Sequence, residues 1–179
     1  MKVGKAEAHI YKPVVVKSVA TGRKVGEFRL PEKEGEVSFA VKVPDAGFYT
    51  MSFRIGQRFK LNLTESALPI AFVTDDFAVQ LLSTVGDVWF YVPAGARFTF
   101  QPMGEGSEWL AANVFDPSGA RTWQVDNLGT WGRFQPENPA VGLWRATIRK
   151  PSKGFMDDYR IDLSGIPGVM FLSSKKYWK

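Results

Sequence analysis

The residues best suited to chemistry fall in one stretch, Arg121-Thr122-Trp123-Gln124-Val125-Asp126-Asn127-Leu128-Gly129-Thr130-Trp131-Gly132-Arg133-Phe134-Gln135-Pro136, where aromatic rings are interleaved with amide and charged side chains. A pyranose face packs on an aromatic ring while its hydroxyls need planar donors and acceptors, and this stretch offers both. Trp123, Asp126, Asn127, Trp131 and Arg133 are therefore the candidate ligand-binding residues, with carbohydrate the ligand class. The alternative is that Trp123 and Trp131 close one end of a core and the polar groups are simply solvated.

Other chemistries lack their usual residues. The single histidine, His9, and the absence of cysteine remove thiolate metal sites, cysteine nucleophiles and the ordinary catalytic triad. A glycosidase or lyase needs only two carboxylates, but Asp75-Asp76 and Asp157-Asp158 are neighbours in sequence, which in a strand sends the two side chains to opposite faces. Calcium is the metal such a chain could hold, with Asp116, Asp126, Asp157 and Asp158 as weak oxygen ligands on loops; the same residues suit plain Asx turns. No cofactor is otherwise expected. The chain has neither a G-x-G-x-x-G nor a Walker pattern, which argues against nucleotides. Nucleic acid is not an expected partner, because the only basic-aromatic cluster is the tail Lys175-Lys176-Tyr177-Trp178-Lys179.

The elements that must position these residues read as strands. Val37, Phe39, Val41 and Val43 alternate with Glu36, Ser38, Ala40 and Lys42, and the pattern recurs at Tyr49, Met51, Phe53 and Ile55, at Phe59, Leu61 and Leu63, and at Trp144, Ala146 and Ile148 opposite Arg145, Thr147 and Arg149. Trp89, Phe90 and Tyr91 cannot share one face, so at least one ring belongs to a second surface. Turn signals at Thr21-Gly22, Pro44-Asp45-Ala46-Gly47, Pro93-Ala94-Gly95, Asp116-Pro117-Ser118-Gly119, Pro151-Ser152-Lys153-Gly154 and Ile166-Pro167-Gly168 separate the runs. Helices should be few or absent, the best candidates being short turns near Glu65-Ser66-Ala67-Leu68 and Asp75-Asp76-Phe77-Ala78. The fold class is thus all-β, an antiparallel β-sandwich of jelly-roll-like kind.

At 179 residues the chain is expected to form a single sandwich domain over 1–179, with a two-half organisation, 1–85 and 86–179, as the other possibility. Aromatic residues make up 14%, which favours β architecture or an aromatic binding surface. The net charge of +5 permits anionic partners, yet the basic residues are dispersed. No stretch approaches the length of an apolar membrane span, and Met1-Lys2-Val3-Gly4-Lys5-Ala6-Glu7 carries no signal-peptide core.

From Asp87 to Leu163 the order of elements resembles the bacterial pre-peptidase C-terminal domains and related jelly-roll modules of secreted hydrolases. The matching residues are Asp87-Val88-Trp89-Phe90-Tyr91-Val92-Pro93-Ala94-Gly95, a strand at Ala96-Arg97-Phe98-Thr99-Phe100, a turn at Gly104-Glu105-Gly106, Leu110 to Phe115 running into Asp116-Pro117-Ser118-Gly119, and a closing strand at Asn138 to Ile148 with Trp144 just past Gly142. The resemblance implies a β-sandwich accessory to an exported bacterial protein, hence extracellular or periplasmic, with some such modules binding carbohydrate or calcium. The expected function is therefore a non-catalytic accessory module whose partner is carbohydrate or a neighbouring domain. Two alternatives stand beside it: a structural or protein-interaction module without a small ligand, and a carboxylate-dependent glycosidase or lyase.

Overall fold

The computed structural model describes residues 2–3, 13–29, 35–36, 38–52, 59–60, 69–74, 78–82 and 84–175. His9, Asp75, Asp76 and the tail from Lys176 onward lie outside the described residues, as do Phe53, Ile55, Leu61, Leu63 and the turn expected at Glu65-Ser66-Ala67-Leu68. Among the described residues every regular element is a strand, and every pairing is antiparallel.

The chain divides into two compact units, Met1–Glu65 and Ser66–Lys179. In the first, β1 (Lys2–Val3), β4 (Gly35–Glu36) and β6 (Phe59–Lys60) form a small sheet in the order β4-β1-β6, and β2 (Val14–Ser18), β3 (Lys24–Phe28) and β5 (Tyr49–Ser52) form another in the order β3-β2-β5. Val14 and Val16 are buried, and Phe28 stacks on Phe39 with ring centroids 4.2 Å apart. The strand expected over Val37 to Val43 is not a strand within 38–43. Its alternation survives in burial, with Phe39, Val41 and Val43 half-buried and Ser38, Ala40 and Lys42 exposed, but the segment joins no ladder. Period-two patterning reports which side chains meet a surface, and hydrogen-bonded pairing is a separate condition.

The second unit is an antiparallel β-sandwich. One sheet has six strands in the order β12-β11-β13-β9-β15-β7, namely β12 (Arg121–Leu128), β11 (Leu110–Phe115), β13 (Gly142–Arg149), β9 (Gly86–Val92), β15 (Val169–Phe171) and β7 (Ala71–Val73). The other has three, β10 (Thr99–Gly104), β14 (Asp158–Ser164) and β8 (Val79–Leu82), in the order β10-β14-β8. Strands β7 and β8, ahead of residue 86, thus pair within this unit.

Strand periodicity builds its core. Val88, Phe90 and Val92 of β9, Ala112 and Val114 of β11, and Trp144, Ala146 and Ile148 of β13 point inward to meet Phe100 of β10 and Tyr159, Ile161 and Leu163 of β14. Phe98 lies at the centre of an aromatic cluster, 5.1 Å from both Phe90 and Trp144 in edge-on geometry and 5.9 Å from Phe134. Such pairs add about 0.5–1.5 kcal/mol each beyond area burial. Trp144 takes its indole N–H to the Ala140 carbonyl at 2.8 Å, so the largest core side chain leaves no donor unsatisfied. Trp89 and Tyr91, of opposite parity to Phe90, lie half-buried on the outer face of their sheet, because three consecutive rings of a strand cannot all face one way.

Two irregularities shape the margins of this sandwich. The ladder between β11 and β12 shifts register between Leu110 and Ala112 and again between Val114 and Phe115, so the outermost strand β12 is bulged twice. Strand β10 begins at Thr99 rather than at the expected Ala96 and runs on through Gly104, with Pro102 inside it. A proline is tolerated there because β10 is an edge strand of its sheet: the Pro102 carbonyl points away from β14, and the missing N–H lies on that same free side.

Tyr159 supplies a test of the core. Its phenol is buried and donates to the Thr84 carbonyl at 2.8 Å, and burial pushes its pKa above the ordinary tyrosine range. The unfolded chain releases this proton near pH ~10, while the folded chain retains it, so stability is fully present below that pH and declines above it. Thermal melts of wild type and Tyr159→Phe at about pH 8 and about pH 11 should show a larger alkaline loss in wild type; equal losses would contradict the assignment.

Candidate functional site

After β12 the chain turns and comes back along the free edge of β10. Gly132 donates its N–H to the Pro102 carbonyl at 2.8 Å, and Phe100 and Phe134 exchange both backbone bonds, at 2.9 and 3.0 Å. Residues 131–134 thereby act as a short extra edge to the three-stranded sheet, and side-chain alternation follows. Gly132 and Phe134 are buried beneath, and Trp131 and Arg133 are exposed on the outer face. Trp131 is 45% exposed.

That outer face is polar. Gln101 of β10 stands directly opposite Asp162 of β14, and Arg160 of β14 is opposite Gln80 of β8. An open groove of about 610 Å³ is lined by Trp131 and by Gln101, Arg160 and Asp162, with the apolar Leu163 and Ile166 also on its wall. Arg160 forks onto Glu105, with Nη2 2.6 Å from one carboxylate oxygen and Nε 3.1 Å from the other, and Gln80 donates to the same carboxylate at 2.8 Å. Its charge is thus matched locally. Asp162 makes no ion pair among the described residues and is the one carboxylate on the described lining. Arg133 donates to the Gln135 amide oxygen at 2.8 Å.

The candidate residues from the sequence divide among three settings. Trp131 and Arg133 share the outer face of the three-stranded sheet. Trp123 goes inward, its ring 5.8 Å from Phe134 and packed against the core, so it closes one end of the sandwich. Asp126 and Asn127 act as a clip. Asp126 Oδ1 accepts the amides of Asn127 at 2.9 Å and Ser152 at 3.0 Å, while Asn127 Oδ1 accepts the Lys153 amide at 2.8 Å and its Nδ2 donates to Ser152 Oγ at 3.0 Å. Ser152 hydrogen bonds, the side chain first and then the backbone, hold the Asp126 carboxyl below its ordinary range. Asn127 sits at φ +56°, a left-handed conformation that asparagine tolerates better than most residues.

Of the calcium candidates, Asp116 and Asp126 commit carboxylate oxygens to nearby amides. Asp116 closes the β11–β12 turn as an Asx turn, accepting from Ser118 N at 2.9 Å, Ser118 Oγ at 2.6 Å and Ala120 N at 3.0 Å, and the Ser118 hydroxyl is the main reason its pKa is lowered. The backbone amides of Asp157 and Asp158 both donate to Glu108 Oε2. Among the described residues no three acidic or histidine side chains converge as a metal site.

Sequence reasoning missed Gln101, Arg160 and Asp162. Arg160 and Asp162 alternate with Tyr159, Ile161 and Leu163, which marks them as outward-facing, but only the β10–β14 register and the return of residues 131–134 bring Trp131 to them. No protein-family model matches the chain, and no curated protein matches it. Fold and geometry define it as an all-β protein whose second unit is an antiparallel sandwich bearing an open groove of mixed polar and apolar lining with Trp131 on it.

The clip has its own test. Asp126→Ala should leave the sandwich folded and accelerate hydrogen exchange at the Ser152 amide, read by NMR; unchanged protection there would show that Asp126 does not anchor the 150–154 loop.

Proposed function

We propose that the chain is a non-catalytic carbohydrate-binding module, accessory to a larger exported bacterial hydrolase or surface protein. The observation that carries the reading is Trp131, exposed on a groove whose lining mixes the polar side chains of Gln101, Arg160, Asp162 and Ser164 with the apolar ones of Ala78, Leu163 and Ile166. A sugar ring stacking on the indole removes apolar area from water, and Gln101 and Asp162 offer donors and acceptors to its hydroxyls. With the Arg160 guanidinium already matched by Glu105, the groove suits a neutral sugar better than an acidic one. The accessory role and exported setting rest on the resemblance over Asp87 to Leu163 to pre-peptidase C-terminal domains.

Binding to an array of neutral glycans, followed by Trp emission during titration of the hits, tests the proposal. Trp131→Ala should weaken retention by about tenfold or more, equivalent to about 1.4 kcal/mol, with the melting temperature unchanged because the ring is outside the core. Undiminished retention by the folded variant would remove this groove as the site.

A further inference from the structure

Building on the carbohydrate reading, we infer that Trp109 and Phe155 continue the Trp131 platform into an aromatic strip that binds several consecutive rings of a linear polysaccharide, rather than a single terminal sugar.

Three observations support the strip. Both added aromatics are exposed, Trp109 to 37% and Phe155 to 66%. They are tied together, since the Trp109 amide donates to the Phe155 carbonyl at 2.8 Å. Trp109 also lies close along the chain path to Trp131: a Cβ placed on Gly129 would be 2.8 Å from Cδ1 and 2.9 Å from Nε1 of the Trp109 ring, and the α-carbon of Gly129 is within about 7 Å of that of Trp131, two residues on.

The Trp109 ring is also set in place before any ligand arrives. Besides Gly129, it presses on Gly154, where a Cβ would fall 3.0 Å from Cε3 and where φ is +78°, so both space and backbone conformation select glycine. The loop carrying Gly154 and Phe155 is held by Asp126 and Asn127 through Ser152 and Lys153. Asp126 and Asn127 therefore act as positioning residues for the strip. A ring already fixed loses little rotamer freedom when a ligand stacks on it, which leaves more of the contact energy as affinity.

The surroundings favour a glycan over an anionic lipid surface. Lys153 precedes Gly154 and Phe155, but Asp126 is bonded to the same loop and Glu108 precedes Trp109, so the region has no single sign of charge to offer a bilayer. Charged Glu108 and Lys153 flank the two rings in sequence and interrupt the apolar area.

Titration calorimetry of the full chain with neutral gluco-, manno- and xylo-oligosaccharides, from disaccharide to hexasaccharide, tests the strip. Wild-type affinity should rise with length. Trp109→Ala and Phe155→Ala should each lower hexasaccharide affinity by about fivefold while leaving the disaccharide unaffected, whereas Trp131→Ala should weaken every length. Phe155 is peripheral enough that its variant stays folded, and Gly154→Ala, which crowds the ring without removing it, should mimic Trp109→Ala. Length-independent binding, or length dependence untouched by these variants, overturns the strip while a Trp131→Ala effect leaves the module reading intact. Absence of binding to any neutral glycan sinks the module reading itself, and the strip with it. Concentration-dependent self-association abolished by Phe155→Ala would instead assign the surface to a second copy of the chain.

Discussion

The site depends on how one edge strand is completed. Strand β10 has Pro102 on its free side, where no N–H can be offered, and the chain answers with the reverse pattern: Gly132 gives a donor to the Pro102 carbonyl, and Phe134 pairs reciprocally with Phe100. Because alternate side chains of an extended segment point to opposite faces, fixing Phe134 in the aromatic core decides that Arg133 and Trp131 stand outside. A shift of one residue would bury Arg133 and expose Phe134, at the cost of desolvating a guanidinium. The groove is therefore held in register by the core beneath it.

The same logic separates functions that share a sequence segment. Trp123 and Trp131 are eight positions apart, yet the first belongs to β12 and faces the core, while the second follows the turn and faces out. Asp126 and Asn127, between them, commit their hydrogen bonds to the 150–154 loop. A stretch whose composition suggests one ligand site thus supplies a core plug, a loop anchor and a surface platform.

This division shows what was legible in the sequence. Strands with one buried face were readable because their apolar residues alternate: Trp144, Ala146 and Ile148 are inside, and Arg145, Thr147 and Arg149 form the other face. Turns carried by Asp116 and Gly119 were readable because their chemistry is local. The groove was not, since Gln101, Asp162 and Trp131 meet only through non-local pairing, and alternation does not name a strand's neighbour. Phe39 to Val43 illustrates the converse, with strand-like burial and no ladder. Trp109 also escaped notice, because the glycines that frame it come from two distant segments.

The two bulges between β11 and β12 bear on the molecule's life in a crowded solution. Strand β12 is the eight-residue outer margin of the larger sheet among the described residues, and a margin of that length is a template onto which another polypeptide could add. The bulges break the even spacing of its backbone groups, and Arg121 at its start and Asp126 near its end place opposite charges along it. A foreign strand would meet an irregular, charged border instead of a continuous ladder. The irregularity of β12 thus guards the sandwich against edge-to-edge aggregation.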